Sequence, residues 1–141
     1  MRKEVQQMNN RYIFRGKRKD NGEWVYGNLI KRKIWSSEFY VIRVEDNGFD
    51  SYVEYEVIPE TVGQCTGLTD KNGAKIFEGD IVKDTGSGIC YFIKWFPECA
   101  CYSLANKDGQ MNFGCDELEM FLDDLEVIVN IHDDDLLEVE G

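Results

Sequence analysis

A mainly β fold is predicted, a β-rich α+β arrangement of short antiparallel strands in a partly open barrel with one short helix near residues 116–125. Three features of the sequence predict it. Apolar and polar residues alternate over short runs, glycine-containing turn signals interrupt those runs, and a helical period occurs in one place only.

Arg11 to Arg15 (RYIFR), the turn Lys19-Asp20-Asn21-Gly22 and Trp24 to Ile30 (WVYGNLI) form a first predicted hairpin, because Asn21-Gly22 supplies the positive φ a tight turn requires. Phe39 to Val44 (FYVIRV) and Tyr52 to Ile58 (YVEYEVI) flank Asp46-Asn47-Gly48 and form a second. Pro59 ends it, since proline has no N–H to give to a strand ladder. In residues 63–83 a third turn signal, Asn72-Gly73, precedes Glu78-Gly79-Asp80 and a strand from Ile81. Ile89 to Phe96 (ICYFIKWF) is nearly continuously apolar, as expected of a strand covered on both faces. Pro97 breaks it, Ala100 to Leu104 is its short partner, and Asp108-Gly109 turns the chain again. Asp116 stands before Leu118, Phe121, Leu122 and Leu125, an i, i+3, i+4, i+7 stripe, and Glu119 completes a capping-box-like start. Val127 to Ile131 is the expected final strand, followed by a charged tail that frays.

At 141 residues one domain is expected, and 43% hydrophobic with 13% aromatic residues is too rich in core formers for a disordered chain. The expected organisation is a flexible tail over 1–10, a domain over 11–137 that can divide near 60–64, and a flexible acidic end over 138–141. No window approaches the ~20 apolar residues of a membrane span, and no apolar stretch near Met1 suits a signal peptide, so a cytoplasmic protein is expected. Cys65, Cys90, Cys99, Cys101 and Cys115 are an odd set, which reads as reduced thiols acting as small buried hydrophobes.

Charge is segregated along the chain. Residues 1–43 hold eleven Lys/Arg against four Asp/Glu, a net of +7, and the remainder carries −18 of the overall −11. From Asp116 to Glu140 there are eleven carboxylates and no basic residue, which disfavours phosphate binding there.

Gln64 to Val82 (QCTGLTDKNGAKIFEGDIV) resembles the signature of the YopX family, a Tyr-Thr-Gly-Leu-x-Asp-x-Asn-Gly run followed by an aromatic and then Glu-Gly-Asp-Ile-Val. Ile13-Phe14-Arg15 with its Lys-rich turn and Trp24, Ile93-Lys94-Trp95, and Leu125 to Ile131 (LEVIVNI) resemble that family's start, middle and end. Cys65 stands where an aromatic is usual, and Cys99-Ala100-Cys101 falls outside the pattern. The resemblance implies a β-rich protein of phage or prophage origin and carries over no catalytic residue.

The residues themselves offer several candidate sites. Gly67, Asn72, Gly73, Gly79 and Asp80 read as structural turn positions that place Ile76, Phe77, Ile81 and Val82 in a core, because a phosphate cradle needs its glycines before a helix. His132 beside Asp133, Asp134 and Asp135 has metal-ligand chemistry but lacks a looped oxygen cage or a paired nucleophile. Cys99 and Cys101 share a strand face that Cys90 or Cys115 could complete, yet only one close pair exists. Arg15, Lys17, Arg18, Lys19, Lys31, Arg32 and Lys33, interleaved with Tyr12, Phe14, Trp24, Tyr26 and Trp35, are the candidate contacts for nucleic acid or a partner; otherwise the cations decorate hairpin tips and the aromatics are core.

The expectation is a non-enzymatic accessory protein that binds another macromolecule, with no catalytic, cofactor or metal residue assigned. A protein partner or self-association is favoured, the basic segment of one copy attracting the acidic third of another. A nucleic-acid module, an acidic decoy of a host DNA-binding protein and an enzyme with an unrecognised site are the alternatives.

Overall fold

The computed structural model describes residues 11–45, 51–112, 114 and 117–133. Ten strands dominate it: β1 (Phe14–Lys17), β2 (Trp24–Ile34), β3 (Ser37–Glu45), β4 (Tyr52–Val57), β5 (Gly63–Thr69), β6 (Lys75–Phe77), β7 (Asp80–Asp84), β8 (Cys90–Phe96), β9 (Cys101–Ala105) and β10 (Leu125–Asn130). They form two antiparallel sheets with no closed barrel among the described residues, so the mainly β expectation holds. The expected short helix is the single turn α1 (Glu117–Met120), followed by a 3₁₀ turn over Leu122–Asp124. Leu118 and Leu125 of its apolar stripe are buried, whereas Phe121 is exposed. Asp116 and the Asp46-Asn47-Gly48 turn lie outside the described residues.

The chain divides into two compact units, residues 1–65 and 66–141. In the first, β1 to β4 are consecutive antiparallel neighbours, and Phe14 and Arg15 pair on the other side with Gln64 and Gly63 at the start of β5. The sequence ended the first hairpin at Ile30, but β2 runs on to Ile34, opposite Ser37. The charged residues 31–33 stay in the ladder because cross-strand carboxylates face them: Lys31 Nζ lies 3.1 Å from Glu38 and Arg32 pairs with Glu54.

This sheet coils so that β1 and the residues after it also bond the C-terminal end of β4, without closing a barrel. Lys19 N donates to Glu56 O, Ile58 N donates to Lys17 O, each at 2.9 Å, and Arg18 bridges Val57. Two glycines make the coiling sterically feasible: a Cβ on Gly27 would sit 2.1 Å from Arg43 O, and one on Gly16 3.0 Å from Val57 Cβ. Ile42, Val57 and Cys65 are fully enclosed in this unit.

In the second unit the remainder of β5 adjoins β6, and a separate sheet has the order β10-β7-β8-β9. Ile76, Val82, Ile93, Leu104, Leu118 and Leu125 form its core, each burial contributing about 1.5–3 kcal/mol. Both edges of that sheet are covered. Lys71 N donates to Leu125 O and Val127 N to Asp70 along β10, while Asn112 N donates to Leu104 O and Met111 bridges Ala105 along β9. β8 is not the two-face-buried strand its composition predicts. Ile93 and Phe96 are buried but Lys94 and Trp95 are exposed, and Trp95 packs edge-on against Tyr102 of β9, ring centroids 4.9 Å apart.

Among the described residues no helix is long and apolar enough to cross a membrane.

Candidate functional site

The signature segment uses its polar groups on its own backbone. Asp70 is buried; one carboxylate oxygen accepts from Asn72 N and Ala74 N at 2.8 and 2.9 Å, and the other accepts from Val127 N at 2.9 Å. That arrangement closes the turn in which Gly73 takes φ +83°. Asp80, 1% exposed, accepts from Phe77 N at 2.7 Å and from Asn130 Nδ2 at 3.2 Å. Asn130 also donates to Glu78 O, and its side-chain oxygen accepts from His132 N. Gly79, at φ +87°, lies so close to Asn130 that a Cβ there would meet its Nδ2 at 3.0 Å. Gly67 is buried within β5, also at positive φ. Asn72 is exposed in the turn. Buried carboxylates saturated with amide donors hold a fold together.

His132 is half-buried, and Asp133 accepts from Asn130 N at 2.8 Å, which places this pair at the end of the same network. Asp134, Asp135 and Cys115 fall outside the described residues. The cysteines are not uniformly buried. Cys65 is enclosed and Cys101 half-buried, but Cys90, at the start of β8, and Cys99, in the turn after Pro97, are exposed. Among the described residues no group of three or more His, Cys, Asp or Glu side chains is placed to hold a metal ion.

The seven basic candidates do not form one stripe. Strand alternation and the β1–β2 and β2–β3 registers put Arg15, Lys17 and Arg32 on one face of the first unit's sheet and Lys31 and Lys33 on the other. Most are engaged locally. Arg15 is buried with its guanidinium carbon 4.6 Å from the Trp24 ring centre, and Lys17 Nζ lies 5.5 Å from the same ring. Arg18 stacks on Tyr55 at 4.3 Å and donates to both oxygens of Asp20. Lys19 lies 3.0 Å from Glu56. Lys33 is exposed.

These pairings set the local protonation equilibria. Hydrogen bonds from Arg43 and then Arg32 hold the Glu54 carboxyl below the usual carboxylate range. The bond from Arg18 does the same for Asp20, and Glu38 raises Lys31. The carboxylates come from β3, β4 and the β1–β2 turn, so phosphates would have to displace partners already in place. Of the acidic third, Glu119, Asp123 and Asp124 are exposed.

Trp35, one of the aromatics interleaved with the basic candidates, stands at a hairpin tip that the sequence pattern does not mark. The β2–β3 hairpin closes on Trp35-Ser36, and Trp35 adopts φ +56° with 94% of its surface exposed, beside Ile34 at 61%. A two-residue hairpin turn with positive φ at its first central position normally takes glycine there. A bulky side chain in that conformation costs of order 1–3 kcal/mol, and here no burial offsets it. Trp35-Ser36 lacks the Asn-Gly or Asp-Gly spelling that marks the turns at 21–22, 72–73 and 108–109, so the pattern gives no signal there.

No curated protein matches the chain. The sequence profile of the family described as YopX protein matches residues 13–138, from just before β1 to beyond β10. With the signature's Asp70, Gly79 and Asp80 tied to Val127 and Asn130 near the far end of that match, the chain belongs to the YopX family.

Proposed function

We propose that this YopX-family protein is a non-enzymatic accessory protein of phage or prophage origin that works in the bacterial cytoplasm by holding a protein partner on the tip of its β2–β3 hairpin. Trp35 is the observation that carries the reading. An exposed tryptophan in a glycine-type conformation weakens the isolated fold and is explained by a contact made elsewhere. Tryptophan is also the residue most enriched among binding hot spots. A protein partner is favoured over nucleic acid because the surrounding cations already face carboxylates of the same unit: Lys31 with Glu38, Arg32 and Arg43 with Glu54. The signature's buried carboxylates support a structural role for that segment, which leaves the hairpin as the working surface.

Trp35→Gly tests this reading with two opposed effects. Glycine relieves the positive-φ strain, so denaturant unfolding should show stability unchanged or raised by up to about 1 kcal/mol. A protein co-purifying with the tagged wild-type chain from host cells should be lost with the variant. Destabilisation of the size seen for a core truncation would assign Trp35 to packing, and retention of the partner would remove the tip from the binding surface.

A further inference from the structure

Edge strands expose unpaired backbone groups, and in the second unit they are covered by Asp70 and Lys71 along β10 and by residues 111 and 112 along β9; β6 is only three residues long. β4 is treated differently. Among the described residues its outer edge is bonded only at its C-terminal end, where Glu56 O accepts from Lys19 N and Ile58 N donates to Lys17 O. Because backbone polar groups alternate edges along an antiparallel strand, these two bonds show that even-numbered residues face away from β3. Tyr52 and Glu54 therefore point N–H and C=O outward, and neither is bonded there among the described residues. Between this stretch and the β1–β2 turn lies a depression of about 290 Å³ lined by Lys19, Asp20, Glu54, Tyr55 and Glu56. The Tyr52 and Val53 side chains are 51% and 48% exposed.

We infer that this edge pairs with β4 of a second copy of the chain, antiparallel about a two-fold axis at Val53. In that register Tyr52 lies opposite Glu54 of the second copy as a hydrogen-bonded pair, and the symmetric pair repeats it, so all four outward N–H groups and carbonyls find partners. Val53 meets Val53 of the second copy with Cβ atoms about 4.5–5.5 Å apart, which buries both. Charge is compatible with this register. The Arg43 guanidinium carbon lies 3.9 Å from the Tyr52 ring centre and Arg43 bonds Glu54 of its own copy, so the arriving Glu54, which keeps its own Arg43 and Arg32, meets a neutralised pair rather than a bare carboxylate. An axis at Glu54 would oppose two carboxylates, and an axis at Tyr55 would need the Glu56 carbonyl that Lys19 already occupies. The two-fold closes the assembly at a dimer and leaves no open end to propagate. With the axis at Val53 only residues 52–54 of the two β4 strands lie opposite one another, which buries less than the roughly 1,200 Å² of a standard stable interface, so the dimer is concentration-dependent.

Light scattering on the full chain at about 0.5 mM should report twice the 16.4 kDa chain mass. The mass should persist from about 0.05 M to about 1 M salt, because backbone and apolar contacts are not screened. Val53→Lys and Val53→Glu should each give about a twofold lower mass with unchanged circular dichroism, and an equimolar mixture of the two should recover the dimer. On the wild-type protein alone, the Tyr52 and Glu54 amides should be protected from hydrogen exchange at high concentration and lose that protection on dilution. A monomer at about 0.5 mM, a dimer that dissolves in salt, or a Val53→Lys variant that stays dimeric overturns the inference. Each outcome is independent of the partner at Trp35, since Trp35→Gly should leave the dimer intact.

Discussion

The two units handle polar groups in opposite ways. In the second, the carboxylates of Asp70 and Asp80 are buried and accept from backbone amides and from Asn130, and the sheet edges are covered by Asp70 and Lys71 along β10 and by Met111 and Asn112 along β9. In the first, charge lies on the sheet faces in exchangeable ion pairs, part of one edge of β4 is unbonded among the described residues, and a tryptophan stands in solvent at a hairpin tip. The contrast teaches that a family signature can mark the part of a protein that builds the fold, while the part that meets other molecules is spelled in ordinary residues.

The largest effect that could break this contrast belongs to the first unit. Gly27→Val should cost about 3 kcal/mol or more, because its Cβ would lie 2.1 Å from the Arg43 carbonyl and neither strand can move without breaking the ladder. Urea denaturation would measure it, and a loss under about 1 kcal/mol would show that β2 and β3 do not approach so closely. Next comes Asp70→Ala, which strips acceptors from Asn72, Ala74 and Val127 and should cost about 2–3 kcal/mol. A near-neutral result would dissolve the assignment of the signature to structure.

Gly73→Val should cost about 1–3 kcal/mol through its positive φ, whereas Lys71→Ala, an exposed side chain whose backbone N–H is retained, should change little. Equal midpoints would mean that the turn does not need glycine. The smallest effect is electrostatic. Glu54 has its pKa lowered by Arg43 and Arg32, so its contribution is present above the ordinary unfolded carboxylate value and is lost as pH falls through the lower folded value. Wild type and Glu54→Gln should therefore differ in stability at pH 7 and converge at acid pH in paired denaturation curves. A gap that does not narrow with acid would show that the ion pairs are not its source.

Much of the fold was legible because its turns are written in Asn, Asp and Gly. Asn72-Gly73, Gly79 and Asp108-Gly109 lie where the pattern put them, and Gly73, Gly79 and Gly109 all take positive φ. The strands from β7 to β10 follow from alternation with errors of a residue or two at their ends. What alternation cannot convey is long-range coverage. The nearly continuous apolar run from Ile89 to Phe96 predicts a strand covered on both faces, yet a run of apolar letters does not say whether anything lies over Trp95. Nor did the glycines at 16 and 27 look different from turn residues, since the backbone each makes room for is distant in sequence. Of the candidate contacts, the cations were visible and their partners were not: Glu38, Glu54 and Glu56 face them only once β2, β3 and β4 are in register.

The bond from Val127 N to Asp70 spans 57 residues, and the one from Asn130 to Asp80 spans 50. Every contact described for the first unit closes within the first 65 residues of the chain. During synthesis, at about 5–20 residues per second, the first unit can therefore complete its sheet while the second still lacks β10. Until that strand leaves the ribosome, Asp70 and Asp80 lack the donors that Val127 and Asn130 bring, and the core of Val82 and Leu118 lacks Leu125. The nascent second unit is thus the aggregation-exposed stage of this protein's life, and a ribosome stalled between residues 70 and 125 should display it as the protease-sensitive half beside an already resistant first unit.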